Sequence, residues 1–99
     1  MKKLTAMLVT GDYANTDYDD IRDRAPILCS ITLDIKSAAI AARNFAMSWE
    51  RGSTKITHLR CVETGSWFHV SQNGRFWRGS VQDWIPGMQP LTLSDVIKG

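Results

Sequence analysis

From Ile27 to Ile35 apolar and polar positions trade places: Ile27, Cys29, Ile31, Leu33 and Ile35 fall on one parity, and Leu28, Ser30, Thr32 and Asp34 on the other. Period two of this kind predicts a strand with one face buried. Leu4 to Thr10 is instead apolar on both parities, with Leu4, Ala6 and Leu8 against Met7 and Val9, as suits a strand inside a sheet. Gly11 to Asn15 reads as a loop. Thr16 then resembles an N-cap, and the carboxylates of Asp17, Asp19 and Asp20 fill a first turn where the helix dipole favours them, so a short helix is expected near residue 20, ending before Pro26.

After Ile35 the period changes. Ala38, Ala39, Ala42, Phe45, Ala46 and Trp49 recur at three and four residues, which predicts a helix capped by Asp34 or Ser37, running to about Arg51 and closed by Gly52. So many alanines let a helix lie close on a sheet. Three strands are then expected at about Lys55 to Glu63, Trp67 to Gln72 and Arg75 to Val81. Asn73-Gly74 signals a two-residue type I′ hairpin, and Thr64-Gly65 a weaker turn. Beyond Val81 the run QDWIPGMQP is irregular, and Ser94 is placed as the cap of a last short helix from Asp95 to Lys98.

These elements predict one α+β domain spanning residues 1–99: a two-layer sandwich with an antiparallel-rich sheet of about five strands, one main helix on one face, and short helices near residue 20 and at the C-terminus. The direction of the first two strands is left open by the pattern.

The hairpin stretch SWFHVSQNGRFWRG carries the first functional signal. A two-residue loop at Asn73-Gly74 pairs Val70 with Trp77 and Phe68 with Gly79, so these residues, with Val81, Leu59 and Cys61, share the core face. The opposite face then holds Ile56, His58, Arg60, Val62, Trp67, His69, Phe76 and Arg78. Aromatic and basic side chains together are what a macromolecular contact uses: Trp and Arg anchor protein interfaces, and stacking rings with cations bind nucleic acid. The competing expectation is that Trp84, Ile85 and Met88 fold back over this face and make it a second, smaller core.

Charge adds an orientation. The net charge is +2, but Asp12, Asp17, Asp19, Asp20 and Asp23 are half of the 10 acids, while Arg43, Arg51, Lys55, Arg60, Arg75 and Arg78 gather further along. A molecule with an acidic and a basic end docks in one orientation.

No nucleophile elbow, Walker loop or dinucleotide fingerprint is present, so no catalytic residue and no cofactor are expected. His58 and Cys61, three apart on a strand, point to opposite faces, and TDYDDIRD lacks the alternating acids of a calcium loop; no metal is expected. Two cysteines, Cys29 and Cys61, are too few for a disulfide framework and read as reduced thiols of a cytoplasmic protein. The opening MKKLTAMLVT resembles a leader but is broken by threonines and lacks a cleavage pattern, and no segment is long enough to span a membrane.

The function expected is therefore stoichiometric binding of another protein or protein complex, as an inhibitor or regulator, a type common among small phage and mobile-element accessory proteins, including anti-defence inhibitors. Its expected contacts are Arg60, Trp67, His69, Phe76 and Arg78, with Asp17, Asp19 and Asp20 imitating phosphates against a basic groove. The alternative is nucleic-acid binding by the same hairpin face, and a homodimer through that face is a third reading.

Overall fold

The computed structural model describes residues 4–12 and 33–99. In chain order they form β1 (Thr5–Asp12), β2 (Leu33–Asp34), α1 (Ile35–Met47), β3 (Lys55–Cys61), β4 (Trp67–Val70), β5 (Phe76–Arg78), a 3-10 turn (Val81–Asp83) and α2 (Leu93–Ile97). The strands make one five-stranded sheet in the order β2-β1-β3-β4-β5, with every neighbouring pair antiparallel. This is the expected α+β arrangement of sheet, main helix and short C-terminal helix. The helix expected near residue 20 and strand positions 27–32 lie outside the described residues. No helix among the described residues is long and apolar enough to cross a membrane.

Local chemistry moves several boundaries. β1 continues through Gly11 and Asp12, where a loop was expected, because Ile56 and Lys55 of β3 are there to pair with them. Ile35 opens α1 instead of closing a strand. Asp34 is the N-cap, extended at φ −60° and ψ 148°, and its carboxylate accepts the Ser37 amide at 3.1 Å, so the chain turns helical one residue later. α1 stops at Met47, short of Arg51, because Ser48 closes its end: the Ser48 amide and hydroxyl both donate to the Phe45 carbonyl, at 3.1 and 2.6 Å. Trp49 then drops onto the sheet, and its indole N–H donates to Thr57 Oγ1 at 3.0 Å. Thr92, not Ser94, caps α2: the Thr92 amide donates to Asp95 Oδ2 at 2.9 Å, and the Asp95 amide donates to Thr92 Oγ1 at 3.2 Å.

The two hairpins decide which side chains face which way. Between β3 and β4 the loop has four residues: the Cys61 amide donates to the Ser66 carbonyl, and the Gly65 amide to the Cys61 carbonyl, both at 2.9 Å. Relative to a two-residue turn at Thr64-Gly65 the register shifts by two, which leaves the faces unchanged, and Leu59 and Cys61 share one face with Phe68 and Val70 as expected.

Between β4 and β5 the loop has three residues, and the faces of β5 are exchanged. The Gly74 amide donates to the Ser71 carbonyl at 2.9 Å and the Ser71 amide to the Arg75 carbonyl at 3.0 Å. Gly74 takes φ 83° while no other residue type among the described residues has positive φ, so Asn73 does not form the type I′ turn. Val70 therefore faces Phe76, His69 faces Trp77, and Phe68 faces Arg78. This register seals the wholly apolar ring of Phe76 in the core and leaves the indole of Trp77, which carries an N–H, on the wetter side.

α1 and α2 cover one face of the sheet. Ala38, Ala39, Ala42 and Ala46 are buried against Ala6, Leu8, Leu59, Phe68 and Phe76, with Val96 of α2 closing the cluster. Small side chains at these positions bring the helix close to the strands.

Candidate functional site

The other face of the sheet is built from Met7 and Val9 of β1, Ile56, His58 and Arg60 of β3, Trp67 and His69 of β4, and Trp77 of β5. It is covered in part by the chain that leaves β5. At Gly79 (φ 86°) the backbone reverses so tightly that a Cβ there would lie 2.7 Å from Asp83 Oδ2. Ser80 and Asp83 then cap each other: the Ser80 amide donates to Asp83 Oδ2 at 2.7 Å, and Ser80 Oγ accepts the Gln82 amide at 3.2 Å. This box fixes the Val81–Asp83 turn over the sheet.

Beneath it lies His58, fully buried at 0% exposure. Its Nε2 accepts the Val81 amide at 3.1 Å. A neutral imidazole that accepts at one nitrogen carries its proton on the other, so Nδ1 holds the hydrogen. That Nδ1 is buried without a partner among the described residues, and so is Nδ1 of His69, the residue directly opposite on β4. The two ring centroids are 6.0 Å apart. Burial pushes both histidines down to about 4 from the usual 6.5; for His58 the adjacent His69 adds to the effect and Asp83 opposes it. Both rings are neutral at pH 7.

Around this polar centre runs a set of aromatic contacts. Trp67 stands edge-on to His58 at 5.9 Å, and the Arg60 guanidinium lies over the Trp67 ring at 5.7 Å from its centroid. Trp77 meets Trp84 edge-on at 6.4 Å. The turn carries large apolar side chains outward: Trp84 is 46% exposed and Ile85 63%. The expected fold-back is thus met in part, because the turn buries His58 but leaves Trp84 and Ile85 in solvent.

Of the residues predicted to make contacts, the structure brings Arg60, Trp67 and His69 together. It separates the other two. Phe76 is 3% exposed in the helix-side core, and Arg78 lies on that same side with its guanidinium over the Phe68 ring at 5.1 Å, both displaced by the one-residue change in the β4–β5 loop. Asp17, Asp19 and Asp20 lie outside the described residues. The sequence reading put Trp77 on the core face, and it expected Trp84 to fold over this face without the ordered turn that carries it. The signal was present in SVQD, whose Ser80 and Asp83 have capping-box spacing and so mark an ordered turn where an irregular tail was read.

His58 and Cys61 fall on opposite faces of the sheet, and the lone pair of His58 Nε2 is already engaged. A cleft of about 330 Å³ opens beside His69, bounded also by Trp49, Lys55, Ile56 and Gln72. Lys55 and His69 are its titratable groups among the described residues, with no carboxylate to complete an acid–base pair. Comparison of the chain with protein-family models, with curated proteins and with solved structures finds no match.

Proposed function

We propose that this chain is a non-enzymatic protein-binding domain that acts stoichiometrically as an inhibitor or regulator, through the surface formed by Arg60, Trp67, Trp77 and the Trp84–Ile85 turn. The observation that carries this reading is the exposure of Trp84 and Ile85 at the end of a turn held by the Ser80–Asp83 box. Large apolar side chains on rigid backbone lose little entropy when a partner covers them, and Trp and Arg are the residue types that dominate binding energy at protein interfaces. Cys61, a buried free thiol, suits a cytoplasmic setting.

Nucleic-acid binding draws less support. A stacking platform needs several rings and cations on one face, and the register of β5 removes Phe76 and Arg78 from the one that holds Trp67.

The test is capture from host-cell lysate by the immobilised wild type and by a Trp84→Ser/Ile85→Ser variant, alongside fluorescence anisotropy with labelled oligonucleotides from low to physiological salt. A protein retained at one-to-one stoichiometry by the wild type and lost with the variant supports the proposal. Oligonucleotide binding that weakens steeply with salt, with no protein retained, overturns it in favour of a nucleic-acid contact. Concentration-dependent sedimentation that vanishes in the variant overturns it in favour of a homodimer.

A further inference from the structure

We propose that His58 is a proton-controlled latch for the Ser80–Ile85 turn: its neutral Nε2 holds the Val81 amide, and a proton on that nitrogen turns the acceptor into a donor and releases the turn. The geometry that points to this is a part-buried hydrogen bond, the one that links the sheet to the turn among the described residues: the Val81 N–H to Nε2 of the fully buried His58 at 3.1 Å, made across 23 positions of sequence. Because Nδ1 already carries the ring's hydrogen, a proton arriving from solvent has only Nε2 to occupy. Two donors then face each other, and the imidazolium has lost its acceptor role while remaining in a site that gives it no water.

The surroundings decide the direction. From β4, His69 faces the ring and, when itself protonated, repels it. From the turn, Asp83 attracts the imidazolium, but its Oδ2 is committed to the Ser80 amide. Arg60, two residues along β3, is a fixed positive charge on the same face, and the β1 residues alongside, Met7, Val9 and Gly11, have no titratable group. Burial and like charge thus outweigh the one carboxylate, and the ring held near 4 in the closed turn returns towards 6.5 once the turn opens. What the latch presents, Trp84 and Ile85, is the surface proposed above, so its regulatory meaning rests on that reading; the latch itself does not.

The experiment is amide hydrogen exchange and histidine-ring NMR on the full chain from pH 7.5 to 4.5, with exchange corrected for its intrinsic pH dependence. Linkage between the two pKa values predicts that protection of the Val81 amide at pH 5 is roughly thirty-fold lower than at pH 7.5. Leu59 in β3 and Ala42 in α1, which exchange through global unfolding, are expected to lose protection only as global stability falls and to remain better protected than Val81 at every pH. His58→Gln, whose amide oxygen can accept the same N–H without titrating, is expected to keep Val81 protected throughout. If that variant does not fold, the wild-type profile decides, because loss of Val81 protection must track the His58 ring resonances. Val81 protection unchanged while the His58 ring protonates overturns the latch, and so does a Val81 protection factor equal to that of Leu59 at every pH, which means the turn opens only with global unfolding. Failure of the latch leaves the contact surface standing. Conversely, capture that survives Trp84→Ser/Ile85→Ser sinks the surface while Val81 exchange still reports on the latch.

Discussion

On the helix side of the sheet the buried atoms are almost all carbon, and the polar group that is sealed there, Thr57 Oγ1, has a partner in the Trp49 indole. On the turn side the most buried side chain is a histidine, and two ring nitrogens have no partner among the described residues. A buried ring nitrogen left without any partner costs about 1–3 kcal/mol relative to a satisfied one. A chain with enough apolar residues to build one dry layer has thus placed polar atoms in the second. The difference teaches that apolar packing organises the helix side, whereas the turn side is organised by hydrogen bonds, those of the Ser80–Asp83 box and of His58 with Val81.

The largest effect that can break this comparison comes from matched truncations on neighbouring positions of β4. Phe68 is fully buried beneath α1, whereas Trp67, next in sequence, lies half-buried on the other face. Phe68→Ala is expected to lower the unfolding free energy by 3 to 5 kcal/mol, roughly, since it opens a cavity under a close-packed helix. Trp67→Ala is expected to cost about 1 kcal/mol, although it deletes the larger ring. Urea denaturation of both variants at pH 7.5 checks this. Equal losses would mean that the turn side is a second core in its own right.

Acid sharpens the comparison next. The unfolded chain takes up protons at its histidines near 6.5, whereas folded His58 and His69 resist until about 4. Stability should therefore be flat above pH 6.5 and fall as pH drops from there towards 4, with full protonation of His58 accounting for roughly 3 kcal/mol. Urea midpoints at pH 7.5, 5.5 and 4.5 measure the slope, and the difference between wild type and His58→Gln separates it from carboxylates that titrate in the same range. Parallel slopes in the two proteins would remove His58 from the account.

The same division separates what was legible in the sequence from what was not. Helix-side residues announced themselves through period: the alanines of α1 and the alternation in β3 depend on spacing along one element, and the four-residue β3–β4 loop preserved the faces because it differed from the expected turn by an even number. The turn side depended on one odd residue. Asn73-Gly74 is compatible with both a two-residue and a three-residue hairpin, and only the burial of Phe76 against α1, a contact between distant segments, selects the second. The bond from Val81 to His58 is likewise invisible to spacing, because nothing in either residue's neighbourhood names the other. What could have been read was SVQD, which fixes the start of the turn and hence the outward placement of Trp84.

The smallest expected effect on stability is the one that best isolates the turn side as a surface. Ile85 is 63% exposed, lies beyond the Ser80–Asp83 box, and its backbone carbonyl, which accepts the Met88 amide at 3.1 Å, is unaffected by a side-chain change. Ile85→Ser should therefore shift the unfolding free energy by no more than about 0.5 kcal/mol. Partner capture should nonetheless fall, because removing an exposed apolar anchor takes contact area only from the bound state. A stability loss comparable to that of Trp67→Ala would show that Ile85 packs on its own chain, and the turn would then belong with the core it has been contrasted with.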